Sequence, residues 1–137
     1  MVYLTHKKCA LSSEELADNI CTNPARVRKV MSALVRAGFA AAREGSEGGY
    51  SAAAGAKSLT LTQLAGALGT RFVDMSWRSG DKEKECLVSS GMGDYMDGLI
   101  ERLDSVCLRE LEATTVGDVE QALFRRSQRL KDKRKKA

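Results

Sequence analysis

The dipeptide Asn23-Pro24 constrains this chain more than any other feature, because it fixes where a basic helix begins. An asparagine caps a helix with its side-chain oxygen, and a proline suits the first helical position, where no backbone N–H is needed. At about 100° per residue, Val27, Val30, Met31, Leu34 and Val35 fall on one arc. Arg26, Lys29, Ser32 and Arg36 fall on the other, with Arg28 at its edge. Gly38 ends the run where a residue tolerant of positive φ is wanted. The pattern predicts a helix that packs on one side and presents positive charge on the other.

The flanks complete a known arrangement. Ser12-Ser13-Glu14-Glu15 has the spacing of a capping box, and Leu16, Ala17 and Ile20 give the short helix that follows one apolar face. Cys21-Thr22 is then a brief turn into Asn23. Two short helices joined this way form a helix-turn-helix, whose second helix fits the DNA major groove. Residues 39–42 and 50–53 are strand-like around the glycine-rich run 43–49, which suits a hairpin and not a helix. The expected fold is mainly α: a winged helix-turn-helix with a small β-hairpin wing, followed by a long dimerisation helix.

These residues resemble a known family. Ser13-Glu14-Glu15-Leu16-Ala17, the helix over 24–37, and Arg43-Glu44-Gly45 with Gly48-Gly49-Tyr50 are similar to the Rrf family of bacterial winged-helix regulators. That family includes an iron-sulfur cluster regulator, a nitric-oxide-sensing repressor and a cysteine-metabolism repressor. The resemblance continues through Leu59-Thr60-Leu61-Thr62-Gln63-Leu64 and on to Thr114-Thr115-Val116-Gly117-Asp118-Val119. It implies a regulator, more readily a repressor, that binds double-stranded DNA as a homodimer, and the lack of an apolar span or a signal-peptide core leads to the expectation of a cytoplasmic protein. Arg43 resembles the arginine that the family sends into the minor groove, although Glu44 and Glu47 flank it. Arg28 falls where the iron-sulfur regulator has an acidic residue that helps choose between sites, and a guanidinium there favours guanine over cytosine. Residues 1–8 resemble the last half of a longer first helix, so the expectation is a frayed start, or a native start upstream of Met1, with His6 on its surface.

The expected DNA contacts are therefore Thr22, Asn23, Arg26, Arg28, Lys29, Arg36, Arg43, Gly48, Gly49 and Tyr50. Capping alone also explains Asn23. Gly48 and Gly49 read first as turn-makers and Tyr50 as a packed residue. After the wing, Leu59, Leu61, Leu64, Ala65 and Leu68 mark a short helix capped by Thr60 or Thr62 and closed by Gly69. Residues 71–93, with three glycines and a charged run at 81–85, read as an irregular connector. From Asp94 a stripe of Met96, Leu99, Ile100, Leu103, Val106 and Cys107 recurs at three- and four-residue spacing, and a second copy is its natural cover. Thr115 caps a closing helix to about Leu130, and the basic end reads as disordered. The expected divisions are 1–69 for DNA binding, 70–93 for the connector or sensor loop, 94–124 for dimerisation and closure, and 125–137 for the tail.

Composition bounds the rest. The 137 residues, 43% hydrophobic and 29% charged, suit one modest domain, and no apolar run approaches a membrane span. The net charge of +4 hides a division. Residues 125–137 hold eight Lys or Arg against Asp132 alone, leaving 14 basic and 17 acidic side chains before them. Within residues 1–50 the balance is seven basic to five acidic, so positive charge gathers on the reading head. Cys9, Cys21, Cys86 and Cys107 are scattered, with no metal-binding pair. Cluster-binding relatives carry three cysteines before the long helix. Here only Cys86 resembles one of them, and Ser89 stands where the iron-sulfur regulator has a histidine ligand, so no metal or other cofactor is expected and Cys86 is a candidate redox thiol. One histidine and no paired nucleophile and base make an enzyme a poor reading. A winged-helix adaptor that binds protein without specific DNA binding is the alternative.

Overall fold

The cap signals act where the sequence puts them. In the computed structural model, which describes residues 1–45, 48–75 and 80–136 and the side chains as far as 128, α1 spans Val2–Lys7, α2 Ser13–Asn19 and α3 Pro24–Arg36. Ser12 Oγ accepts from the Glu15 amide at 3.1 Å while the Ser12 amide donates to Glu15 Oε2 at 2.7 Å, a complete capping box. Asn23 Oδ1 accepts from the Ala25 amide at 2.7 Å. Between the two helices Cys21 takes a left-handed conformation, φ 52°, which closes the turn without a glycine. That strain of about 1 kcal/mol is not foreseen by the sequence pattern.

Val27, Met31 and Leu34 of α3 are buried together with Leu4, Leu11, Leu16, Ala17 and Ala40. Val30, placed on the packing arc by periodicity, is 38% exposed, and Ile20 is exposed as well. Both line a groove at the margin of the core with Met1 and Tyr3. The first helix is not frayed: Leu4 is 1% exposed and Thr5 is buried. Its His6 is also no isolated surface group, since Nδ1 lies 3.4 Å from Glu120 Oε1 and the ring packs on Phe124 at 4.8 Å.

Strands β1 (Ala40–Arg43) and β2 (Gly49–Ala52) pair antiparallel, with Arg43 opposite Gly49. The loop before α2 adds a third backbone segment to this hairpin. Leu11 N donates to Tyr50 O at 3.0 Å, and Tyr50 N donates to Leu11 O at 2.8 Å. The wing is thereby tied to the helix-turn-helix at its root. Ser46 and Glu47 at its tip, and Trp77 in the connector, lie outside the described residues.

A 3-10 turn at Ala56–Ser58 leads into α4 (Leu61–Leu68), capped by Thr60 with Gln63 and packed on α3. The long helix α5 spans Leu87–Glu112, so it starts seven residues before the stripe at Asp94 suggests. Gly91 and Gly93 look like breakers in the sequence, but a glycine within a 26-residue helix costs only about 1 kcal/mol. The connector is held to this helix. Asp104 accepts from the Val73 and Phe72 amides at 3.1 and 2.7 Å, which lower its pKa, and the Asp81 amide donates to Ser89 O at 3.0 Å.

Helix α6 spans Val116–Lys136. The expected stop near Leu130 and the disordered end are both corrected, because a run rich in Lys and Arg without glycine or proline is a good helix former. Thr115 caps α6 with Asp118, and an isolated bridge from Thr60 to Thr115 returns the chain to the reading head. Glu120, 7% exposed, sits between Lys57 at 2.5 Å and His6, and the Lys57 ammonium beside it holds its carboxyl below the usual glutamate range.

Candidate nucleic-acid interface

Helix α3 carries the candidate surface because Val27, Met31 and Leu34 commit its opposite side to the core. Ala25, Lys29, Ser32 and Arg36 are all exposed and fall within one narrow arc opposite Val27, Met31 and Leu34. Ala25 and Ser32 belong to this arc although only the cations stood out as sites. Arg26 and Arg28 lie at its two edges. Arg26 borders an apolar groove with Tyr3, Ile20 and Val30, on the side of α1.

Arg28 leans the other way, onto α2. Its Nη1 donates to Glu14 Oε1 and Ser13 Oγ, each at 3.0 Å. The pair is exposed, with side chains 54% and 65% accessible, so solvent screens it and it is weak. The Glu14 carboxyl lies below its ordinary range because of the amide at its helix start, then Ser13, with Arg28 adding to the effect. A guanidinium held this way is oriented at the α2 edge of the exposed arc and exchanges partners at little cost.

Thr22 is half-buried, its amide donating to Ala17 O at 2.9 Å, and Asn23 is exposed while it caps α3. Arg43 is exposed at the end of β1. Gly48 and Gly49 have structural reasons to be glycine. A Cβ on Gly48 would lie 2.3 Å from Arg43 O, and one on Gly49 would lie 2.6 Å from the Leu11 carbonyl carbon. Tyr50 packs against the core. The structure therefore brings Lys29 and Arg36 to the outer face of α3, with Asn23 exposed at its N-cap, Arg28 at its α2 edge and Arg43 at the wing, and gives the two glycines and Tyr50 a place in the hairpin.

The second surface is on α5. Val88, Tyr95, Leu99, Leu103 and Val106 share one arc, and all but the half-buried Leu99 are exposed. Leu87, Val88 and Tyr95 were missed by sequence reasoning, because Gly91 and Gly93 hid the continuation of the pattern. Ile100, expected in this stripe, is instead 7% exposed within the single chain, on a helix that packs against α4. Met96 and Cys107 are half-buried between the two sides. Cys86 stands at the N-cap position of α5 and is exposed, and the amides of Ser89 and then Val88 pull its thiol below the ordinary cysteine value. Among the described residues no helix is long and apolar enough to cross a membrane.

Comparison with solved structures gives the same architecture. A transcriptional regulator structure from Lactobacillus plantarum superposes with a TM-score of 0.78 at 19% identity, covering 99% of this chain and 92% of the other. CymR, described as the global cysteine regulator of B. subtilis, gives 0.61 at 18% identity over 88% of this chain and 87% of that one. IscR of T. potens gives 0.58 at 14% identity, covering 85% and 73%. At these identities the likeness is one of fold. No curated protein sequence matches. The family model described as "Iron-dependent Transcriptional regulator" matches residues 1–122, and the chain belongs to that family, Rrf2.

Proposed function

We propose that the protein is a sequence-specific DNA-binding repressor that acts as a homodimer, with α3 in the major groove and the wing beside it. The observation that carries this reading is the exposed arc of Ala25, Lys29, Ser32 and Arg36 on a helix whose other side is buried, rooted beside a hairpin that ends in Arg43. Lys29, Arg36 and Arg26 supply phosphate affinity, and Arg28, released from Glu14, reads a base edge. The exposed stripe on α5 supports the second copy, since a run of this length on one helix is covered most simply by its own symmetry mate. Repression then needs nothing beyond occupancy of the promoter.

The family description implies iron, and the donor set does not fit it. Among the described residues no three His, Cys, Asp or Glu side chains are placed to hold a metal ion. The four cysteines sit apart, at the end of α1, in the α2–α3 turn, before α5 and within α5. A cluster ordinarily takes four ligands, so no step of the mechanism passes through one. Cys86, exposed at the start of α5, is the thiol through which oxidation would reach the α5 stripe.

The division of roles is tested with a duplex selected from a random pool. Arg28→Ala is expected to cost about 1–3 kcal/mol at one base position and to relax preference there, whereas Lys29→Ala weakens all sequences alike. Equal losses on every sequence for both variants would overturn that division.

A further inference from the structure

The basic end of the chain is a continuation of α6 to Lys136, and the contacts of α6 define where that charge is delivered. The helix begins at the reading head, where the Val116 amide donates to Leu59 O at 2.9 Å. One turn on, Glu120 meets Lys57 and His6, and Phe124 packs on the His6 ring. By Ser127 the helix lines one apolar groove with Met1, Tyr3 and Ile20. Ile20 is the C-cap of α2, three residues before the cap of α3. The adjoining groove carries the surface on to Thr22, Arg26 and Val30. Helix α6 thus runs from the turn before α4, along α1, toward the end of α2. Nine further residues, at about 1.5 Å each, extend it by roughly 13 Å beyond Ser127.

Residues 129–136 hold six Lys or Arg and one Asp, with Leu130 as the sole apolar residue. The chain before residue 125 is net negative, so net positive charge gathers on α3 and on this extension, and the last described side chains of α6 line a groove with Ile20 that continues to Arg26. We propose that residues 129–136 form a second DNA contact, a helical basic arm that engages backbone phosphates flanking the half-site read by α3. The inference rests on the major-groove reading of α3. The N-terminal end of a recognition helix is the end that meets base edges, and the arm leaves the fold beside that end. A lipid surface fits less well, because one leucine gives no apolar face to insert. An RNA helix does not admit α3 in its deep, narrow major groove, so it cannot engage both elements together.

Two variants of the full chain test the arm: deletion of 129–137, and replacement of Lys133, Arg134, Lys135 and Lys136 by Gln, which keeps helix and length. Each is titrated over a range of salt against the selected duplex, a random duplex and the selected duplex trimmed to its half-sites. The slope of log affinity against log salt is expected to fall by about 0.9 for each phosphate that the variant no longer neutralises. Affinity at 150 mM salt should drop at least tenfold on selected and random duplexes alike, with base preference unchanged. Trimming the flanks should reproduce that loss in the unaltered chain. Unchanged slopes in both variants, on a duplex that the full chain binds specifically, would overturn the arm while leaving the α3 reading intact. So would loss of binding to an RNA hairpin or to phosphatidylserine vesicles with duplex binding unaffected. A full chain without sequence preference would overturn both.

Discussion

A chain carrying Leu103→Asp and Val106→Asp together is expected to be monomeric and to bind its operator at least about a hundredfold more weakly than the unaltered protein. Within one chain these side chains are 46% and 52% exposed, so aspartate there disturbs little of the subunit's own packing. Against a symmetry mate each charge appears twice and must be buried or solvated at the partner's expense. Sedimentation should give a single subunit mass, thermal melting should show an intact reading head, and fluorescence anisotropy should report the affinity loss. Two linked heads bind a two-part site with the second contact made intramolecularly, and that advantage of about 10²–10⁴ is what the variant forfeits. A double variant that remains dimeric would show that this stripe is not the subunit contact. Ile100→Ala should behave differently, lowering the melting temperature, because Ile100 is packed within its own subunit.

The second large effect is expected at Gly49. Its φ of 145° is one that side chains rarely adopt, and its Cβ would fall 2.6 Å from both the carbonyl carbon and the oxygen of Leu11. Neither backbone atom can move without breaking the paired Leu11–Tyr50 hydrogen bonds that fasten the wing to α2. Gly49→Val should therefore destabilise the protein by about 2–4 kcal/mol, a fall in Tm of roughly 10 °C. Gly91→Ala is the control. No atom lies within 4 Å of its added Cβ, and relief of the glycine in α5 should leave stability equal or raise it by about 0.5–1 kcal/mol. If Gly49→Val melted with the unaltered protein, the close approach of Leu11 to the wing would be wrong.

What the sequence makes legible here is what short-range chemistry determines. The capping box at Ser12, the Asn23-Pro24 start and the Thr60 cap each act through atoms two or three residues apart, and all three are found. The winged-helix class follows from the order of those signals around a glycine-rich hairpin, and the family from the resemblance carried above all by Arg43-Glu44-Gly45 and Gly48-Gly49-Tyr50. Contacts between distant residues were hidden. Arg28 reaches Glu14 and Ser13 of the preceding helix, Leu11 bridges to Tyr50, and His6 meets Glu120 near the far end of the chain. None leaves a periodic trace. Helix boundaries failed where a residue type stood for a rule: Gly91 and Gly93 suggested a loop inside α5, and the density of charge after Arg125 suggested disorder where α6 continues. Ile100 shows the limit of the spacing argument, since a stripe at three- and four-residue intervals cannot separate a side chain buried within its own chain from one left open to a second subunit.

Duplexes retained by the full chain from a random pool, sequenced and then assayed for the number of protomers bound, test the central claim most directly. The account predicts an inverted repeat with half-site centres about 10–10.5 base pairs apart, or a whole multiple of that, holding two protomers. An unenriched pool, or an unrepeated sequence holding one protomer, would contradict it.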